Sequence, residues 1–302
     1  MPLTSPRDRI TEMFYRGRFA PTPSGPLHFG SLFAAVVSWL DAHHHNGEWL
    51  VRIDDLDPPR EVPGAAHGIL KTLERHGLMW DAPVTYQSNN ADRYEANLAL
   101  LAQQHRLFWC RCSRKTLKGT SVYPGYCRAC QTPRDDSAIR LRVLTEQTTL
   151  EDRFQGMQTV NLAKEYGDVI LKRRDGFFAY QLAVVSDDIE AGVTDVVRGI
   201  DLMPSTFWQQ ELYQLLNAPQ PRYAHFAVLC DPNSRQKLSK QNLAPAIDDN
   251  LPEANLMAVF ALLQMPITPD SCEQMLQQAL SLYRPEQLIG KETMQVAQSG
   301  LN

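Results

Sequence analysis

The chain lacks the features that mark membrane-spanning, secreted and strongly basic proteins. No apolar run among its 302 residues is long enough to span a bilayer, and Arg7, Asp8 and Arg9 stand where a signal peptide would carry its apolar core. We therefore expect a cytoplasmic protein with no membrane partner. The net charge is −4, so any contact with a nucleic acid must depend on a local basic patch.

Cysteine is scarce and unevenly distributed. The chain has six cysteines, and four of them fall between positions 110 and 130. Thiols stay reduced in the cytosol, so these cysteines are not expected to form disulfides. Their clustering predicts a metal site.

Internal repeats and low-complexity tracts are also absent, and the composition, 43% hydrophobic and 21% charged, is that of an ordinary globular protein. Short apolar runs alternate with amphipathic segments, which predicts an α/β fold with a parallel sheet covered on both faces. Strands are predicted over residues 12–21, 49–53, 84–87, 138–143, 168–174 and 224–229. Helices are predicted over residues 31–46, 61–77, 90–106, 204–217, 251–264, 271–283 and from 286 onward.

A proline-rich loop runs from Arg18 into the first predicted helix and reads Arg-Phe-Ala-Pro-Thr-Pro-Ser-Gly-Pro-Leu-His-Phe-Gly-Ser-Leu. Proline stiffens this loop, and Gly25 and Gly30 leave room for a ligand close to the main chain. A helix N-terminus after such a loop can bind an anion, usually a phosphate, within reach of His28. By spacing alone, the stretch is equally a turn before an ordinary helix.

The sequence of this loop closely resembles the HIGH-type motif of class I aminoacyl-tRNA synthetases, in the variant found in the glutamyl and glutaminyl enzymes. His28-Phe29-Gly30-Ser31 takes the place of the motif itself. The resemblance implies that His28, Gly25 and Gly30 serve ATP binding and catalysis. It also implies that the stretch Arg18, Phe19, Ala20, Pro21 and Thr22 contacts glutamate.

Two further segments resemble the amino-acid pocket of glutamyl-tRNA synthetases. Arg-Ile-Asp54-Asp-Leu-Asp follows a predicted buried strand, and its first acid, one methylene shorter than the family's glutamate, would contact the substrate ammonium group. Tyr180 and Arg198 lie in the second segment, in Tyr-x-Leu-Ala-x-Val-x-Asp-Asp and Gly-Val-Thr-Asp-Val-x-Arg-Gly. There the resemblance implies contact with the substrate side chain, and an arginine fork suits a carboxylate.

The clustered cysteines read Cys110-x-Cys112, then Tyr123-x-x-x-Cys127 and Cys130. By spacing alone, all four cysteines would hold a tetrahedral zinc ion. The segment also resembles the small zinc insertion of some glutamyl-type synthetases, which implies Cys110, Cys112, Tyr123 and Cys127 as ligands. Either set of four ligands would fill every coordination position of the zinc ion, so the zinc would be structural.

Near the C-terminal end of the predicted sheet, Lys237-Leu-Ser-Lys240-Gln resembles the KMSKS loop of class I synthetases. The resemblance implies that Lys237 and Lys240 bind ATP and that Lys240 stabilises phosphate charge in the transition state. Without that resemblance, two lysines in a loop are more often solvated charges.

Together these motifs identify the chain as resembling the catalytic part of a glutamyl-tRNA synthetase. The expected organisation is a Rossmann-like class I catalytic domain in two halves, a zinc arm between them, a C-terminal helical part and no anticodon-binding domain. The expected bounds are 1–107 and 138–241 for the halves, 108–137 for the arm and 242–302 for the helical part.

Shortened members of this group, the glutamyl-Q tRNA(Asp) synthetases, activate glutamate with ATP and Mg²⁺ and transfer it to queuosine in the anticodon of tRNA(Asp). That activity, in a monomer, is the function that the resemblance implies. Two alternatives stay open at this point. The chain could be a shortened glutamyl-tRNA synthetase that charges the 3′ end of tRNA(Glu), or an inactive tRNA-binding paralogue.

Overall fold

The structure, a computed structural model, describes residues 14–230 and 246–295. Its helices are α1 Phe29–His44, α2 Ala65–Arg75, α3 Ala91–Gln103, α4 Tyr180–Glu190, α5 Met203–Leu215, α6 Pro252–Leu262 and α7 Cys272–Leu282. Its strands are β1 Arg16–Phe19, β2 Glu48–Ile53, β3 Thr85–Tyr86, β4 Leu107–Cys110, β5 Ala138–Leu141, β6 Gln147–Asp152, β7 Gly156–Asn161, β8 Val169–Lys172, β9 Asp195–Gly199, β10 Arg222–Phe226, β11 Val228–Cys230 and β12 Thr293–Gln295. None of the helices in these two ranges has the length and apolar character needed to cross a bilayer.

Parallel strands form the centre of the structure, which confirms the predicted α/β class. Strand β2 pairs in parallel with both β1 and β3, and β10 pairs in parallel with β9 and β6. The two groups meet where Thr194 N, just before β9, donates to Arg16 O in β1 at 3.0 Å. The carboxyl ends of β1, β2 and β9 therefore open at one edge, where ligands bind in such sheets.

Helix α1 forms much of the core, as its periodicity predicts. The five apolar residues expected on one face are completely buried: Leu32, Phe33, Val36, Val37 and Leu40. Helices α6 and α7 share the same core through Leu256 and Met275. The C-terminal helices thus pack against the helix that follows the proline-rich loop.

A second, antiparallel sheet carries the cysteine arm. Strand β5 pairs with β4 on one side and β8 on the other, and residues 111–137 form the excursion between β4 and β5. The Trp109 N–H in β4 donates to Cys130 O at 2.9 Å, which ties the far end of the arm to its base.

Several parts of the structure differ from the predicted elements, among them strands β4 and β9, which were not predicted. Strands β6 and β7 form an antiparallel hairpin, and α4 begins at Tyr180, although neither was predicted. The helix predicted from 286 onward is wrong: a short 3-10 turn over Pro285–Leu288 is followed by strand β12. Gly290 ends the turn with a φ of +69°, in the left-handed region, and its N–H donates to Phe154 O.

Asp41, completely buried in α1, connects distant parts of the chain. Arg153 donates to both of its oxygens, at 2.7 and 2.9 Å, and the hydroxyls of Tyr15 and Tyr283 donate to it as well. Bidentate pairing and two hydroxyl donors satisfy a carboxylate that burial would otherwise destabilise. This cluster joins β1, the β6–β7 hairpin and the end of α7 to α1.

We expect Asp41→Ala to lower the free energy of unfolding by about 3 kcal/mol, because Arg153 would lose its bidentate partner and keep only Asp195 at 3.7 Å, and two buried hydroxyls would lose their acceptor. Urea denaturation of the intact chain measures this loss. Glu151→Ala, which removes an exposed carboxylate from β6, should cost less than about 0.5 kcal/mol. A loss below about 1 kcal/mol for Asp41→Ala would mean that the cluster does not hold these elements together.

Candidate active site

A cavity of about 350 Å³ opens beyond the carboxyl ends of β1, β2 and β9 and beside α4. Its polar lining comes from β1, β9 and α4 and from the loops that follow β1 and β2. The lining residues are Arg18, Phe19, Ala20, Thr22, Ala34, Asp54, Tyr180, Val184, Val197, Arg198, Gly199 and Leu202. One end of the cavity is apolar because Val184, Val197 and Leu202 flank its charged groups.

The cavity brings together seven of the eight residues that the sequence assigned to glutamate. The eighth, Pro21, is outside the lining. Its carbonyl accepts a hydrogen bond from Asp54 N at 3.0 Å, so it joins the loops that follow β1 and β2. Pro21 therefore acts on the site through the backbone that carries Asp54.

Buried charges of both signs surround the base of the cavity. Arg18 Nε and Nη2 donate to Asp188 at 3.2–3.3 Å. Arg52 donates to Asp188 Oδ1 at 2.6 Å and to Asp54 Oδ1 at 2.8 Å, and thus links the two acids. All four side chains are less than a tenth exposed, so their mutual pairing is what makes their burial tolerable.

The two acids of this group differ in charge behaviour. Burial raises the pKa of Asp54 to about 6, although Arg52 and Arg18 lower it. Burial also opposes ionisation of Asp188, yet Arg18 and Arg52 together hold the pKa of that carboxyl below its usual value. The pairing with the two arginines therefore favours the ionised form of Asp188, whereas Asp54 exchanges its proton near pH 6.

A further acid, Asp187, anchors α4 beneath this cluster. Tyr94 Oη donates to Asp187 Oδ2 at 2.7 Å, and the amides of Gln87 and Asn90 donate to its two oxygens at 2.9 Å. Burial is the largest cause that raises the pKa of Asp187. These donors fix the start of α3 against α4, and α4 carries both Tyr180 and Asp188.

Arg198 and Tyr180 meet in the lining of the same cavity. Arg198, at the end of β9, is 5% exposed and donates through Nη1 to Tyr180 Oη at 3.1 Å. Tyr180 begins α4 and is 37% exposed, so part of its side chain is accessible. The arginine fork and the phenol together offer donors to a carboxylate.

Three residues predicted for ATP, Gly25, His28 and Gly30, are not in the lining of this cavity. His28 is the N-cap of α1, and its Nδ1 accepts from Ser31 N at 3.2 Å. The helix begins at Phe29, two residues earlier than predicted, so Gly30 lies in its first turn. Gly25 is buried in the preceding loop with a φ of +122°, where a side chain would be strained. Lys237 and Lys240 lie outside the described residues.

The predicted metal ligands form a compact cluster in the arm. The Sγ atoms of Cys110, Cys112 and Cys127 lie within 4.8 Å of one another, and Cys112 and Cys127 are 3.7 Å apart. Tyr123 Oη lies 3.4 Å from Cys110 Sγ and 3.8 Å from Cys112 Sγ. Tetrahedral ligands about 2.3 Å from a zinc ion would be separated by about 3.8 Å, so the spacing suits a metal of this size.

Cys130 is directed elsewhere in the arm. Its sulfur accepts a hydrogen bond from Arg134 Nη1 at 3.2 Å, and it is not among the three thiols that converge. Of the two alternatives for a fourth ligand, the geometry favours Tyr123.

Several residues that shape the site were not assigned a role from the sequence. Arg52 and Asp188 complete the charged cluster, and Thr206, Gln209 and His225 bond to Arg198. The Asp-Asp pair at 187–188 was a usable signal, because two acids in an apolar helix need buried partners. His225 offered no such signal, since it contacts Arg198 only through the pairing of β9 with β10.

Comparison with known proteins agrees with this geometry. The family described as tRNA synthetases class I (E and Q), catalytic domain, matches residues 15–123 and 126–279. The chain is 49% identical to a glutamyl-Q tRNA(Asp) synthetase of Idiomarina loihiensis over 88% of this chain and 95% of the relative. It is 50% identical to the enzyme of that name from Pseudomonas aeruginosa over 83% and 86%.

A solved structure shows the same fold. A glutamate tRNA ligase from Elizabethkingia meningosepticum, in complex with its amino acid, superposes with a TM-score of 0.79 at 24% identity, over 96% of this chain and 68% of that protein. Fold, family match and relatives at half identity over most of both lengths agree. The chain belongs to the class I tRNA synthetases of the E and Q type and, within them, to the glutamyl-Q tRNA(Asp) synthetase family.

Proposed function

We propose that this protein activates L-glutamate with ATP and transfers the glutamyl group to the queuosine base in the anticodon of tRNA(Asp). The observation that carries the proposal is the single cavity that unites Arg18, Asp54, Tyr180 and Arg198. Relatives at half identity bear the name of this activity. In the proposed complex, Asp54 accepts the ammonium group of glutamate, and Arg198 and Tyr180 bind its side-chain carboxylate.

The first step forms glutamyl-adenylate. The α-carboxylate of glutamate attacks the α-phosphorus of ATP, and pyrophosphate leaves. His28 at the N-terminus of α1 and Lys240, assigned from its motif, would stabilise phosphate charge, with Lys237, Gly25 and Gly30 at the nucleotide. Mg²⁺ would balance the pyrophosphate charge. In the second step a hydroxyl of the modified base attacks the acyl carbon and AMP leaves.

The basic arm offers a surface for the tRNA. Residues 108–137 include six arginines and lysines and two acidic residues, in a chain whose net charge is −4. Arg111, Arg114, Lys115 and Lys118 are exposed, so their charges are available to phosphates. We include this arm in the proposed tRNA surface.

The acceptor is tested by charging tRNA(Asp) with radiolabelled glutamate and cutting the product with nuclease to locate the label. We expect label on the anticodon fragment, and only when the tRNA contains queuosine. Glutamate-dependent ATP–pyrophosphate exchange, measured in parallel, reports the first step alone. Label on the 3′ adenosine would instead indicate a shortened glutamyl-tRNA synthetase, and no exchange at all would indicate an inactive paralogue.

The raised pKa of Asp54 predicts a pH dependence. The carboxyl is charged above its pKa of about 6 and neutral below it, so kcat/KM for glutamate should fall as the pH drops through about 6. Asp54→Asn should lower kcat/KM about 10²-fold near pH 8 and remove this limb of the profile. Asp54→Glu, which keeps the charge, should retain the limb. A limb that persists in Asp54→Asn would exclude Asp54 as its source.

We further propose that Cys110, Cys112, Tyr123 and Cys127 hold a structural zinc ion, which would fold an arm that has little core of its own. Purified protein should contain about one zinc per chain, measured by elemental analysis. Cys127→Ser should lose the metal and make the arm sensitive to protease, whereas Cys130→Ser should keep both properties. If Cys130→Ser loses zinc while Tyr123→Phe retains it, Cys130 is the fourth ligand.

A further inference from the structure

The Arg198 guanidinium is held by an unusual set of partners. Its Nε donates to His225 Nε2 at 3.1 Å, and its Nη2 donates to Thr206 Oγ1 at 2.7 Å and Gln209 Oε1 at 2.8 Å. We refer to Thr206, Gln209 and His225 as the neutral shell. All three are buried, and they fix the plane of the guanidinium from two sides. Nη1 donates to Tyr180 Oη at 3.1 Å, and Nη2 also donates to Leu202 O at 3.4 Å; both Tyr180 and Leu202 line the cavity.

The absence of a carboxylate from this set distinguishes Arg198 from the other arginines of the site. Within residues 14–230 and 246–295, no carboxylate lies within the 4.0 Å of an ion pair from Arg198. Arg18 and Arg52, by contrast, are both paired with Asp188. The positive charge of Arg198 is therefore not offset by a direct partner, although all three of its nitrogens donate hydrogen bonds.

His225 can belong to this shell only in one tautomer. Its Nδ1 lies 2.5 Å from Asp152 Oδ2, and a carboxylate only accepts hydrogen bonds, so Nδ1 carries the proton. Nε2 then carries a lone pair, which accepts a hydrogen bond from Arg198 Nε. Burial is the largest cause that lowers the pKa of His225, so the ring stays neutral. The opposite tautomer would set an N–H against the Arg198 N–H.

Asp152 is itself immobilised. Its Oδ1 accepts from the backbone N–H groups of Phe154, Gln155 and His225, at 2.9 to 3.0 Å. The turn of the β6–β7 hairpin therefore holds the carboxylate that sets the tautomer of His225. Through that ring, a residue with no place in the cavity lining acts on the guanidinium that lines it.

We propose that the neutral shell, with Asp152 behind it, positions Arg198 and reserves its charge for a ligand carboxylate. This inference rests on the proposed function, in which that ligand is glutamate, and it names the source of selectivity for the acid over its amide, glutamine. A carboxylate in the shell would compete with the ligand carboxylate for the positive charge of Arg198. Neutral acceptors orient the guanidinium without neutralising it. The members of the shell are positioning residues, because none of them lines the cavity.

The variant Gln209→Glu tests the role of the Arg198 charge. It keeps the shape of the side chain and places a carboxylate beside Arg198 Nη2. The Gln181 amide, which now accepts from Gln209 Nε2 at 3.1 Å, can turn its amino group toward the new oxygen, so folding should be retained. We expect KM for glutamate to rise at least about 10-fold with kcat changed less than about 3-fold, and the glutamate-over-glutamine ratio of kcat/KM to fall by a similar factor. Amino-acid-dependent ATP–pyrophosphate exchange measures all three.

Gln214→Glu is the matched control, because it adds the same charge on an exposed position of the same helix, α5. It should leave KM and the selectivity ratio unchanged. If Gln209→Glu behaves like this control while the wild-type protein is active with glutamate, the charge of Arg198 is not reserved and the inference is wrong.

The variant Asp152→Asn tests the tautomer of His225 separately. The new amide can donate to His225 Nδ1, which favours the tautomer with the proton on Nε2. Imidazole nitrogen chemical shifts should move from the Nδ1–H to the Nε2–H pattern for one histidine, which His225→Gln identifies by its loss. KM for glutamate should rise in Asp152→Asn. In a His225→Gln background, which keeps an acceptor but has no tautomer, Asp152→Asn should add nothing further.

The two readouts separate the inference from the function on which it rests. Absence of glutamate-dependent exchange in the wild-type protein would refute the proposed function, whereas the tautomer measurement needs no substrate. An unchanged tautomer in Asp152→Asn, or a KM effect that is fully additive with His225→Gln, would refute the positioning role of Asp152.

Discussion

The site depends on buried ion pairs between two arginines and two aspartates, which lie at the ends of β1, β2 and α4. Arg18 and Arg52 share Asp188, and Arg52 also holds Asp54. Each ion would be costly to bury alone, but together they satisfy one another in a region nearly closed to water. The pairing also locates Asp54, and through the Pro21 carbonyl it locates the proline-rich loop that leads to α1. Loss of one member would therefore disturb several elements at once.

The arginines of the site divide into two kinds. Arg18 and Arg52 are compensated by acids and give the site its shape, whereas Arg198 is oriented by uncharged acceptors. A pocket lined only by compensated arginines would be nearly neutral and would distinguish an acid from an amide poorly. A pocket lined only by uncompensated ones would be difficult to fold. The observed combination meets both demands with residues from adjacent strands.

Local patterns predicted much of the fold, and motifs predicted most of the cavity lining. The apolar face of α1 and the buried strand β2 follow from periodicity, and Arg18, Asp54, Tyr180 and Arg198 from their motifs. Strand β6 was not predicted because Gln147–Asp152 is mostly polar and half-exposed, so it has no apolar run. The contact of His225 with Arg198 could not be predicted, because they are 27 residues apart and become partners only through strand register.

The Asp41 cluster has a consequence for how the chain folds during synthesis. Tyr283 donates to Asp41 across 242 residues, and Arg153 donates across 112. At about 5–20 residues per second, a ribosome needs roughly 10–50 s between the synthesis of Asp41 and that of Tyr283. During that interval α1 emerges with its apolar face uncovered by α6 and α7 and its carboxylate incompletely paired. The helix that follows the proline-rich loop thus completes its packing only after most of the chain has been synthesised.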